Sequence, residues 1–166
     1  MKKRDFDIAF RGLALGQHEF QYDLNDTFFT LFEYSEYRGL RGTTELKMLK
    51  SETVLDLELH FAGSIEAPCD ITNEMYTQEL KNSFVMQIKF GDEYNDENEE
   101  LLILPHGNYQ FNAAQMLYEL VVLSIPSKLL GPNAGNGLED LIEEEEDETE
   151  EKTDPRWDQL KNLLNK

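Results

Sequence analysis

Leu55-Asp56-Leu57-Glu58-Leu59-His60-Phe61 decides the fold. Four apolar side chains alternate with three polar ones, and a strand's two-residue period puts the apolar set on one face. A second run, Ser83-Phe84-Val85-Met86-Gln87-Ile88-Lys89-Phe90, repeats the pattern through Phe84, Met86, Ile88 and Phe90. Between the two lies Pro68-Cys69-Asp70-Ile71-Thr72-Asn73, rich in turn formers. The spacing predicts a long hairpin, Thr53–Ala67 with Met75–Gly91, with Cys69 at its bend and Gly63 marking a bulge. One-sided alternation argues for antiparallel pairing with one wet face.

Weaker alternation extends the sheet in both directions. Phe6, Ile8 and Phe10 alternate with polar or small residues, and Phe20, Tyr22 and Leu24 follow the break at Gly16. Leu46 and Met48 form another short pattern, and Leu101 to Leu104 ends at Pro105. Two helices interrupt the strands. Asn25 or Asp26 is placed to cap a short one carrying Phe28, Phe29, Leu31 and Phe32. Asn112 and Gln115 have the spacing of a capping box, and Phe111 with Met116 that of a hydrophobic staple. The apolar residues from Met116 to Ile125 then cover a wide helix face up to Pro126. The expected architecture is α+β: an antiparallel sheet of about six strands, open to curling toward a barrel, packed with one or two helices.

The C-terminal region reads differently. Gly131-Pro132-Asn133-Ala134-Gly135-Asn136-Gly137 is a breaker cluster. From Glu139 to Glu151 there are ten Asp or Glu and no Lys or Arg. Such a block repels itself and cannot enter a core. Asp154-Pro155-Arg156-Trp157 follows, with Leu160, Leu163 and Leu164. Asp154 suits a cap, Pro155 the first helical position, and Trp157, Leu160 and Leu164 share one face. The division expected is an α+β domain over residues 1–135, an acidic flexible linker over 136–153 and an amphipathic docking segment over 154–166. A helix of about a dozen residues is marginal in water, so the segment orders on docking.

Charge narrows the functions. The net charge is −19, and the first fifty residues carry eight charges of each sign. Negative charge is concentrated in the tail and in Asp92 to Glu100. A chain this acidic does not hold nucleic acid by its mean field, because phosphate binding needs Lys and Arg to displace counterions. The cationic groups stand early: Lys2, Lys3 and Arg4, then Arg11-Gly12, then Arg38-Gly39-Leu40-Arg41-Gly42. Glycine beside arginine lets a backbone approach a phosphate, which makes Arg11, Arg38 and Arg41 the candidate contacts to an anionic partner. Acidic runs in turn attract basic proteins. No apolar run is long enough to span a membrane, the N-terminus lacks a signal-peptide core, and no DNA partner is expected.

Catalytic patterns are weak. Cys69 is the single cysteine, so neither an internal disulfide nor a cysteine zinc site is expected, consistent with a reducing cytoplasm. No basic residue lies beside it in sequence to activate a nucleophile. His18, His60 and His106 are scattered and read as surface or structural residues. Phe28, Phe29, Phe32 and Tyr34 carry the side chains of a base-stacking platform, but their helical spacing reads better as core. No cofactor, metal or enzymatic activity is expected.

Phe61-Ala62-Gly63-Ser64-Ile65-Glu66-Ala67-Pro68-Cys69-Asp70, the helix from Phe111 ending in Leu-Ser-Ile-Pro126, and Asp154-Pro155-Arg156-Trp157-Asp158-Gln159-Leu160 together resemble the YceD-like family. The resemblance covers residues 53–166, and the order of the parts is its specific element. It implies a bacterial or plastid protein linked to accumulation of large-subunit ribosomal RNA. The implied role is a non-catalytic assembly factor, with the large-subunit precursor as partner through its rRNA or a basic ribosomal protein. An acidic chaperone for one such protein is the alternative. Many members carry a Cys-x-x-Cys pair at the turn. Here the second position is Thr72, which argues that the Cys69 turn is structural.

Overall fold

The computed structural model describes residues 1–98 and 100–135. The acidic linker expected at 136–153 and the docking segment expected at 154–166 lie outside the described residues. In chain order the elements are β1 (Asp7–Ile8), β2 (Gly16–Asn25), α1 (Asp26–Phe29), β3 (Arg38–Lys50), β4 (Val54–Pro68), β5 (Met75–Gly91), β6 (Asn95–Asn98), β7 (Leu101–Pro105), β8 (Phe111–Asn112) and α2 (Ala114–Val122). The class is α+β. Strands β4 and β5 pair antiparallel from Val54↔Lys89 to Pro68↔Met75, the hairpin that the alternation predicts.

The main sheet has six strands in the order β2-β3-β4-β5-β7-β6. It is open rather than closed into a barrel, because β2 and β6 are its two edges and do not meet. One pairing departs from the antiparallel rule: β7 runs parallel to β5. The acidic stretch from Asp92 to Glu100 contributes the edge strand β6, antiparallel to β7. Its four residues are exposed, and an edge of charged side chains resists pairing with other chains.

One face of this sheet is the core. Leu55, Leu57, Leu59, Phe61 and Ile65 of β4 point inward with Leu46 and Met48 of β3 and Ile88 of β5. Each such side chain contributes about 1.5–3 kcal/mol by leaving water. The N-terminal segment and α2 cover that face. Phe6, Ile8 and Phe10 are all buried there, but not as a regular strand. Two 3-10 turns, Lys3–Phe6 and Phe10–Gly12, flank the two-residue β1, which pairs only with β8. Their backbone groups bond locally, Asp5 N–H to Lys2 and Leu13 N–H to Phe10, and so leave the ladder. Lys50 fixes this segment by donating to the carbonyls of Phe10 at 2.9 Å and Leu13 at 2.5 Å.

Asn25 caps α1 as expected, its side chain accepting from Thr27 N–H. The capping box expected at α2 does not form. Asn112 lies in β8, and its amide donates to Lys3 O and Asp7 Oδ1 at 2.7 and 2.6 Å. Its Oδ1 still takes the Ala114 N–H, but the N-cap is Ala113 and Gln115 bonds Glu119. The helix also ends at Val122, earlier than Pro126, and leaves Leu123 77% exposed.

Thr44 sits on the core face, fully buried, and its hydroxyl has no hydrogen-bond partner. Removing an unsatisfied buried hydroxyl while keeping branched shape recovers its desolvation cost. Thr44→Val is expected to raise stability by about 1 kcal/mol, read from the urea midpoint at constant m-value.

Candidate functional site

Arg38 and Arg41 stand three residues apart on β3, a spacing that in a regular strand points side chains to opposite faces. They share one face because the register slips between them. Arg38 pairs with Glu66 and Arg41 with Ser64, so Gly39 and Leu40 oppose Ile65 alone. This is a β-bulge, and it shifts the parity of every residue before it. Gly39 takes φ 69°, a left-handed conformation suited to glycine. A Cβ there would lie 2.7 Å from Glu66 Cγ, so the Glu66 side chain lies directly over the Gly39 backbone. The Leu40 N–H, freed from the ladder, donates to Asp26 Oδ1 at 2.8 Å. The Leu40 side chain turns into the core. The bulge expected at Gly63 is therefore here instead, and Gly63 itself pairs in register with Gly42 and Leu80.

Both arginines are exposed on the wet face of the sheet. Among the described residues neither guanidinium is engaged by a carboxylate; the one contact between a basic side chain and a carboxylate within 4 Å is His60 Nε2 with Glu58 Oε1, at 2.8 Å on that same face. Arg11 lies elsewhere. It belongs to the 3-10 turn at Phe10–Gly12, its N–H bonded to Tyr109 O, beside Lys50 at the far end of β3. Arg41 is nine residues of strand from Lys50, about 30 Å. Lys3 is on the helical side, its ammonium 5.2 Å from the Phe32 ring centroid. The structure thus brings Arg38 and Arg41 together and leaves Arg11 apart.

The aromatic group is mostly core. Phe28 and Phe29 are buried, whereas Phe32 stacks on Tyr118 with centroids 4.3 Å apart and Tyr34 packs on Phe29 at 4.7 Å. These faces are spent on one another. Burial raises the Tyr34 hydroxyl pKa, with the Glu36 carboxylate adding to the rise.

Cys69 is 2% exposed at the hairpin bend. Its N–H bonds Glu74 O and its carbonyl accepts from Asn73, a residue with φ 55°. The chain after α2 returns to clasp this turn. Asp70 N–H donates to Leu129 O and Leu129 N–H to Asp70 Oδ2, both at 2.8 Å, and Asn133 bonds Glu74 at 2.9 Å. The Thr72 hydroxyl, then the backbone N–H groups of Thr72, Gly131 and Ile71, favour the thiolate and lower the Cys69 pKa from 9.0 to about 7. No neighbouring cation in the sequence signals this, because the donors are the Thr72 hydroxyl and backbone N–H groups brought together from two loops. Among the described residues, no group of three or more His, Cys, Asp or Glu is arranged to hold a metal ion.

This lowered value has a pH consequence. The folded pKa lies below the ordinary one, so the native state binds fewer protons between them, and Cys69 adds stability as pH rises from about 7 to 9. That contribution is lost as pH falls through about 7. Thr72→Val is expected to move the midpoint of thiolate ultraviolet absorbance upward. The gain in unfolding midpoint between pH 7 and 9, relative to Cys69→Ser, should shrink with it.

A third feature lies beside α2. Strand β7 pairs with β5 only over Gln87–Gly91, so the Met75–Met86 portion of β5 has no strand on that side. Between this portion and α2 runs a groove of about 710 Å³. Phe84, Met86, Leu102, Met116 and Leu123 supply its apolar wall. Asp96 and Glu119 stand among its lining residues.

No curated protein and no solved structure matches this chain. Residues 57–164 match the family model described as Large ribosomal RNA subunit accumulation protein YceD. That span runs from near the start of β4 through the Cys69 turn, the groove, α2 and the acidic region into residues 154–166, and it leaves the Arg38–Arg41 corner outside. It is more than half of the chain, and the protein belongs to the YceD family.

Proposed function

We propose that this protein supports the accumulation of large-subunit ribosomal RNA as a non-catalytic assembly factor that binds the large-subunit precursor in the cytoplasm. The observation that carries the reading is the family match over residues 57–164. The corner at Arg38 and Arg41 supports a direct contact with rRNA. Two guanidiniums on one face, flanking a glycine and without a carboxylate partner among the described residues, are suited to two successive phosphates. Arg11, at the other end of β3, meets the same partner only if that partner spans the sheet. The remaining surface is rich in carboxylates and repels RNA, which confines binding to the corner.

The test is co-sedimentation. In low salt the protein should travel with precursors of the large subunit and leave them as salt is raised. Finding it only at the top of the gradient, in cells whose assembly is intact, rejects the proposal. A second reading is favoured by the charge: residues 1–135 hold 22 acidic and 11 basic residues. On that reading the protein is an acidic chaperone for one basic ribosomal protein, without RNA contact. A complex that survives nuclease but fails without residues 139–166 selects it.

A further inference from the structure

The groove between β5 and α2 is an apolar surface that nothing in the described residues covers. Leu123 stands at its rim 77% exposed, and Phe84 and Leu102 are half-buried within it. We propose that the occupant is the chain's own residues 154–166, with Trp157, Leu160 and Leu164 against Phe84, Leu102 and Leu123.

Three observations favour this occupant. The first is reach. The last described residue, Gly135, follows Asn133, which is bonded to Glu74 at the start of β5. Phe84 lies ten residues further along that strand, about 30 Å. Residues 136–153 span about 60 Å when extended and typically about 20–25 Å as a flexible coil, and repulsion within the acidic tract lengthens that typical span, so the gap lies well within reach.

The second is charge. The groove carries Asp96 and Glu119, with Asp92, Glu93, Glu97 and Glu100 close by in sequence on the β6 side. Residues 154–166 hold Arg156, Lys161 and Lys166 against Asp154 and Asp158. Its side chains sum to +1, where those of the tract before it are strongly negative. The rim attracts the tip and repels the tract. A second copy of the chain would bring its own acidic groove to this one, which disfavours self-association.

The third is concentration. A short tether presents its tip at a local concentration in the millimolar range, so a modest apolar contact suffices to fill the groove.

Trp157 is the single tryptophan of the chain, so its emission reports the tip without ambiguity. In the full chain the emission should be blue-shifted and shielded from acrylamide, and this should not change with protein concentration. Leu123→Glu places an unpaired carboxylate in the contact and should lower the docked-to-open ratio by about tenfold or more, returning the spectrum toward that of a wet indole. The body should stay folded, because Leu123 is exposed in the described fold; circular dichroism should lose no more than the helical signal of residues 154–166, and the urea midpoint should fall by no more than the lost docking accounts for. Lys161→Glu with Lys166→Glu changes nothing in the body and should open the tip in the same way at low salt. It serves as the deciding variant if Leu123→Glu fails to fold. A wet Trp157 in the unmodified chain overturns the proposal. So does shielding that neither variant reduces, and so does shielding that grows with protein concentration, which assigns the groove to a second copy.

Discussion

Gly63→Val is expected to destabilise the fold by about 3 kcal/mol or more, among the larger single-residue effects. Gly63 pairs directly with Gly42 across β3 and β4, and both lack side chains on the core face, where the Phe61 ring lies across them. A Cβ on Gly63 would sit 2.6 Å from the Arg41 carbonyl oxygen, 2.7 Å from Gly42 Cα and 2.8 Å from Phe61 Cζ. Two of these three are backbone atoms of the central strand pair, so relief requires the strands to part. A Cβ on Gly42 meets mainly the ring, with Phe61 Cε2 at 2.5 Å and the Ala62 oxygen at 2.9 Å. The two glycines should therefore respond differently to a smaller neighbour. Phe61→Leu should recover part of the loss in Gly42→Ala and little of the loss in Gly63→Val. Gly107→Ala is the control, because a Cβ there meets nothing within 4 Å. Urea midpoints of the five variants decide it. Equal losses at Gly63 and Gly107 would mean that the close strand approach costs nothing.

The same pair shows where local sequence stops informing. A glycine inside a strand signals either a bulge or a close approach of another backbone, and the two readings are indistinguishable along the chain. What separates them at Gly63 is Gly42, twenty-one residues earlier. The alternation from Leu55 to Phe61 was legible because a strand's period is written in consecutive residues. The open sheet and the parallel β5–β7 pairing were not, because they depend on how β6 and β7 turn back, which no local period encodes. The cap signal at Asn112 is met only in part: its Oδ1 takes the Ala114 N–H, but the N-cap is Ala113 and its amide donates to Lys3 and Asp7 from the other end of the chain. The Arg38–Arg41 cluster could be read as basic and glycine-rich, but its shared face could not. That depends on Asp26 accepting the Leu40 N–H released by the bulge.

Arg38→Glu with Arg41→Glu is expected to remove the protein from precursor particles, with a loss of about a hundredfold in affinity for rRNA at low salt and a salt-dependence slope smaller by about 2. Each arginine removed takes away one phosphate contact and its released counterion, and each glutamate adds repulsion at the same spot. Both residues are exposed and outside the bulge's own hydrogen bond, which uses Leu40 and Asp26, so the fold should be retained. The neutral pair Arg38→Gln with Arg41→Gln separates the two effects. It should show the reduced slope with a smaller loss of affinity, because contacts vanish without repulsion. Arg11→Glu provides the spatial control. About 30 Å away, several Debye lengths at physiological salt, it should leave the corner's binding unchanged unless the partner extends along the whole of β3. Gradient sedimentation in parallel with filter binding to large-subunit rRNA reads both quantities. If the glutamate pair sediments with precursors as the unmodified chain does, the wet corner is not the RNA contact. The acidic reading, in which residues 139–166 hold a basic ribosomal protein, then accounts for the family's role.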